Sequence, residues 1–263
     1  DPGGRLSNRP AASLRDVFRP WLPQTSAGPD SRLSALDGIA DRHPRVGQDL
    51  LLALLPERSA FGTYTYAPEF RQWKPEDCGV LVGEYLRVVT AIGRRLLGIA
   101  GDHPETWIEL IPRIVDMPPE LRTEVIDALA ALDVAILDDD LAGRLWTTLN
   151  ELVGHHQEFA HTDWAMPKDV VDVLCEVRER FAPGDSIDRH AWLFRSHAPS
   201  LGIRRHGDSV EYQKALATQR GAAVTAIYED HGLEGLLNLA SRLEAPGFLG
   251  ASLAAAATAV DPE

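Results

Sequence analysis

Residues 36–44 read LDGIADRHP and residues 96–104 read LLGIAGDHP. Leu, Gly, Ile, Ala, His and Pro recur in the same order and at the same spacing, sixty positions apart. In each copy Leu, Ile and Ala close an apolar stripe of helical period. The His takes the turn, and the Pro opens the next helix, where a missing N–H breaks no hydrogen bond. The phrase therefore reads as a joint between two helices. A looser third copy, AIYEDHGLEGLL at 226–237, keeps the four-residue offset between Ile227 and His231 and puts Gly232 where the proline stood. His43 and His103 are expected to cap the last carbonyls of the preceding helix, a place that also suits a cation. Metal binding by His43 and His103 with Asp41 and Asp102 would need the two joints to converge in space.

Helical periodicity extends outward from these joints over most of the chain. Stripes run through Val46, Leu50, Leu51 and Leu54; through Leu81, Tyr85, Val88, Ile92 and Leu96; and through Leu121, Val125, Leu129 and Leu132. Two more follow, Leu141, Leu145, Leu149 and Leu152, then Val170, Leu174, Val177 and Phe181. Pro44, Pro104 and Pro119 mark starts, Asp138, Asp139 and Asp140 put negative charge at a helix beginning, and Gly101, Gly184, Gly207 and Gly232 mark breaks. The one strand-like run, FGTYTY at 61–66, is short and has no partner strand. The expectation is an all-α chain of nine or ten helices in repeated helical hairpins. Either a solenoid-like stack or an irregular bundle would satisfy it. It is read as one region over residues 1–263, with an internal hinge at 196–209.

Composition narrows the function. The 26 basic and 39 acidic residues give a formal charge of −13, which repels phosphate backbones and anionic lipid, so neither nucleic acid nor membrane is an expected partner. Cys78 and Cys175 are far apart and not in metal-ligand spacing, which fits a reducing cytoplasm better than a disulfide-bonded secreted domain. The chain opens with Asp1, Pro2, Gly3 and Gly4 instead of Met and is expected to be a piece of a longer polypeptide.

Three segments carry candidate chemistry. GHHQEFAHTDW at 154–164 gathers His155, His156, Glu158, His161 and Asp163, yet His156 and His161 are five apart and fall on different helix faces. Solvated side chains at a helix end are expected there, with metal or catalytic use as the rival. Residues 56–75, PERSAFGTYTYAPEFRQWKP, interrupt the helices with Phe61, Tyr64, Tyr66, Phe70 and Trp73. So many rings in one connection fit either a cover over the chain's own core or a partner-binding loop, with Phe61, Tyr64, Tyr66, Arg71 and Trp73 as contacts. A second connection, SHAPSLGIRRHGDS at 196–209, concentrates Arg204, Arg205 and His206 and reads as an exposed hinge, or else as a contact for an acidic partner. No phosphate-binding glycine loop, nucleophile elbow or Cys/His pairing is present in the sequence. No cofactor and no metal site is expected.

LRDVFRPWLPQTSAGPDSRLSALDGIADRHPRVGQDLLLALLPE at 14–57, YAPEFRQW at 66–73 and DRHAWLFRSHAP at 188–199 together resemble the helical region of large bacterial multidomain conflict or antiphage-defence proteins. In these a signalling ATPase or effector is joined to long α-helical sensor regions. The resemblance implies a non-catalytic sensor or scaffold that meets other domains of the same polypeptide or another protein, and it supplies no site residues. The alternative is a helical-bundle enzyme or metal-binding domain built around His156.

Overall fold

The computed structural model describes residues 9–23, 25, 27–57, 79–203 and 209–260. The chain is all-α: among the described residues there are twelve α-helices, two 3₁₀ turns and no strand. The excess over the expected count comes from pieces of four or five residues that periodicity cannot detect. The single region read from the sequence is organised as two compact units, Asp1–Ala131 and Leu132–Glu263. The connection at 196–209 therefore lies inside the second unit.

The first unit holds α1 (Pro10–Phe18), α2 (Pro29–Arg42), α3 (Pro44–Leu54), α4 (Val82–Asp102), α5 (Thr106–Leu110), a 3₁₀ turn (Ile111–Asp116) and α6 (Pro119–Ala131). Helix α4 is its axis, because Val88, Val89, Ile92, Leu96 and Ala100 are all buried and α2, α3, α5 and α6 pack around it. Gly93 admits α6 closely: a β-carbon there would lie 2.5 Å from a methyl of Leu121. Three ion pairs tie α4 to α2. Arg87 donates to Asp30 at 2.7 Å, Arg95 grips both oxygens of Asp37, and Glu84 accepts from Arg32 at 3.2 Å. Arg32 is buried and also donates to the Arg19 carbonyl at 3.4 Å. Burial lowers its pKa and Glu84 offsets that, so the guanidinium stays charged.

The two joints match. His43 and His103 end α2 and α4 with φ/ψ of −139/71 and −131/81, and their backbone N–H groups donate to the Ile39 and Ile99 carbonyls, both at 2.8 Å. The cap is thus the backbone N–H, where a side-chain cap was expected; both imidazoles are exposed, and His103 Nδ1 lies 3.8 Å from Glu105. Four residues past each His the joints diverge. Gly47 lets α3 approach until a β-carbon would meet Ala40 Cα at 2.5 Å, whereas the second joint carries a buried Trp107 at the same place. The third joint is also real, as Gly232, at φ +62°, breaks α11 (Ser209–Arg242) immediately after His231. His231 Nε2 meets Asp185 at 2.8 Å.

The second unit begins with a 3₁₀ turn (Val134–Ile136) and a hairpin of α7 (Asp139–Glu158) and α8 (Lys168–Arg180). Leu145, Leu149, Val153, Leu174, Val177 and Phe181 are buried in the two elements and the residue that ends them. Asp138 caps α7 by accepting the Leu141 N–H at 2.7 Å, so the acidic run acts as a helix start. Then follow α9 (Ser186–His190), α10 (Trp192–Arg195), α11 and α12 (Gly247–Val260), packed around Leu193, Phe194, Leu216, Ile227, Leu239 and Leu249. Arg220 donates to the Leu193 and Ser196 carbonyls at 3.0 and 2.8 Å and lies 5.0 Å over the Phe248 ring. Helix α12 has no charged residue in fourteen positions. Among the described residues no helix is long and apolar enough to cross a membrane.

The stripes held through their middles, and two of them failed at their starts. Val46, in the first turn of α3, and Leu81, the residue before α4, are 50% and 72% exposed.

Candidate functional site

Four separate pieces of the first unit converge on a cleft of about 200 Å³, lined among the described residues by Trp21, Pro56, Glu57, Tyr85 and Asp116. Each is set by a buried neighbour. Phe18 at the end of α1 and Leu22 just after it are drawn into the core, which leaves Trp21 between them 38% exposed. Leu54 and Leu55 anchor the end of α3, so Pro56 and Glu57 emerge at the rim. Val88 and Val89 bury the next turn of α4 and leave Tyr85 half-buried at its start. Asp116 ends a 3₁₀ turn fixed by Arg122, which donates to the carbonyls of Ile114, Val115 and Met117 at 3.0 to 3.2 Å.

The lining combines two aromatic rings with two carboxylates. Burial, and then the nearby Asp116 carboxylate, raise the Tyr85 pKa, so the phenol stays neutral. The Arg113 guanidinium sits 3.5 Å from Glu57. Arg19 lies 5.0 Å over the Trp21 ring and donates to Asp16 at 2.6 Å, so that indole already accepts one cation. Beside the cleft, Leu81, Val82 and Leu86 are 72%, 75% and 40% exposed. Leu81 and Val82 precede Tyr85 by four and three residues and so share its side of the helix.

Phe61, Tyr64, Tyr66, Arg71 and Trp73 lie outside the described residues, as do Cys78, Arg204, Arg205 and His206. The chain leaves the cleft wall at Glu57 before that aromatic stretch and returns through Gly79, at φ +64°, just ahead of Leu81.

The histidine-rich segment departs from expectation at two residues. His155, His161 and Asp163 are exposed as anticipated, but His156 and Glu158 are buried. His156 Nδ1 accepts the Met166 N–H at 3.1 Å, which fixes the chain as it turns from α7 toward α8. Glu158 accepts from the Ser200 hydroxyl at 3.1 Å. Trp164 packs against His155 and Phe159 with ring centroids 5.1 and 5.3 Å apart. The segment is a ring cluster closing the end of a helix. Among the described residues no group of three His, Cys, Asp or Glu is placed to hold a metal ion.

Trp21, Tyr85 and Asp116 were not singled out by sequence reasoning. A Trp set between Pro20 and Pro23 was the one available signal, since a rigid turn holds a large ring at the surface. No protein-family profile matches the chain, and no curated protein or solved structure shows significant similarity to it.

Proposed function

We propose that this chain is a non-catalytic α-helical interaction module, the sensor or scaffold part of a larger bacterial protein of the conflict or antiphage-defence type, working in a reducing cytoplasm. The observation that carries the reading is the exposed apolar turn at the start of α4. Leu81 and Val82 keep about three quarters of their surface in water beside an aromatic cleft, an arrangement that gains free energy when a partner covers it. Its partner is another domain of the same polypeptide or a second protein. Phe61, Tyr64, Tyr66, Arg71 and Trp73 belong to the stretch joining the two edges of this surface and share in the proposal.

The test joins this chain to the domains that flank it in its full-length polypeptide and follows amide hydrogen exchange. Protection at 81–86 on joining, and its loss in Leu81→Asp/Val82→Asp, is the expected result. Exchange at 81–86 that is the same with and without every flanking domain, together with unchanged association of the double variant, would refute the proposed surface.

A further inference from the structure

We propose that the second unit docks a basic amphipathic helix of a partner protein on the last turns of α11, against Leu233 and Leu237 and the carboxylates beside them. This surface is separate from the one at 81–86 and does not rest on it. Past the break at Gly232, Leu236 and Leu239 are buried in the core of the unit, whereas Leu233 and Leu237, one turn apart, are each 62% exposed. Tyr228, in the turn before the break, is 58% exposed. The leucine row is held in place. Gly235 comes so close to the preceding turn that a β-carbon would lie 2.4 Å from His231 Cβ. His231 meets Asp185, which caps α9, and Arg242 donates to Asp188 of α9 at 2.6 Å, so the segment is pinned at both ends. These contacts also occupy the neighbouring cations. Glu229 and Glu234 are exposed, and among the described residues neither has a hydrogen bond or an ion pair. Asp230 is exposed too, and its charge acts on the His190 ring. A helix face offers no spare backbone donors or acceptors, so a strand laid over Leu233 and Leu237 would leave its own amides unpaired there, while a helix arrives with them satisfied. The unanswered carboxylates favour Lys or Arg beside the partner's apolar anchors. They work against anionic lipid, which draws in apolar rows flanked by basic residues, and against a second copy, which would bring like charges together.

The experiment uses the full chain and a fluorescein-labelled helical peptide whose leucines recur every three or four residues and are flanked by lysines. One counterpart replaces each Lys by Glu and another replaces each Leu by Ser. Fluorescence anisotropy should show the Leu/Lys peptide binding at least about tenfold more tightly than either counterpart, and less tightly as salt is added. Leu233→Ser/Leu237→Ser should weaken it at least about fivefold, and Glu229→Gln/Glu234→Gln at least about threefold, with helical dichroism unchanged. Glu151→Gln/Glu176→Gln removes the same charge from exposed positions elsewhere in the unit and should leave the affinity within about 1.5-fold. Equal weakening by the two charge pairs would show attraction to an acidic chain without a docking face and would overturn the proposal. So would no binding, or self-association or phosphatidylserine-vesicle binding that Leu233→Ser/Leu237→Ser abolishes, since the face would then belong to another occupant. If the leucine variant loses helical dichroism, the comparison of the two glutamine pairs decides.

Discussion

Replacing Gly47 with alanine asks whether the first joint depends on a missing side chain. The new β-carbon would lie 2.5 Å from Ala40 Cα, 2.8 Å from Ala40 Cβ and 3.1 Å from Ala40 N. Carbon atoms rest about 3.5–4.0 Å apart, so α2 and α3 must separate by about 1 Å. The opposing atoms are mostly backbone and cannot rotate away. The cost is taken at the upper end of overpacking, about 3 kcal/mol. Alanine returns about 1 kcal/mol through its better helix propensity, so the net loss is about 2 kcal/mol. Gly98→Ala provides the control, because that glycine lies exposed in α4 with nothing within 4 Å of its would-be β-carbon. It should gain about 1 kcal/mol from propensity alone. Urea denaturation followed by helical dichroism measures both. A Gly47→Ala protein as stable as the unaltered chain would refute the close-crossing account of the joint.

Alanine at His43 or His103 should cost about 1 kcal/mol or less, since the capping donor is the backbone N–H, which the substitution keeps; urea midpoints check it. Arg122→Met removes a charged donor from three carbonyls beneath Asp116 and should destabilise by about 2–3 kcal/mol in the same assay. Two groups set a pH response. Arg95, by hydrogen bonding, lowers the Asp37 pKa, so this contribution is complete above about pH 4 and lost as pH falls through the lowered value; Asp37→Asn should flatten that limb. Burial, helped by Arg189 and opposed by Asp230, lowers the His190 pKa, so stability should decline as pH falls below about 6.5, and His190→Gln should remove the decline. Thermal melts across pH 3 to 8 read both effects.

The joints were legible because turn chemistry is local: Ile, Ala, His and Pro within six residues settle where a helix stops and the next begins. Helix interiors were legible for the same reason, with Val88, Ile92 and Leu96 buried as their period requires. How tightly a joint closes was hidden, because it depends on whether position 47 or 107 meets a neighbour's backbone, and Gly and Trp there both permit a helix. The burial of His156 was hidden too, since its partner is a backbone N–H ten residues on, at Met166. The cleft was the least readable feature. Trp21, Glu57, Tyr85 and Asp116 come from four separate stretches of the chain, and only packing brings them together. The division at Ala131 likewise comes from long-range packing, as no run of linker-like composition marks it.

The chargeless helix α12 has a consequence for how the second unit opens. Without ionic side chains it cannot draw on the i, i+4 pairs that support an exposed helix, and at fourteen residues it is marginal alone. Among the described side chains, Leu249, buried, and Phe248 and Leu253, partly so, join it to the core of the unit. Three such side chains supply only a few kcal/mol, less than a whole domain's stability. Undocking of α12 is therefore expected as a sub-global event, in which its amides exchange with solvent while α11 keeps its hydrogen bonds, and it strips Phe248 from Arg220. Among the packed helices of this unit, proteases and aggregation would find their opening here.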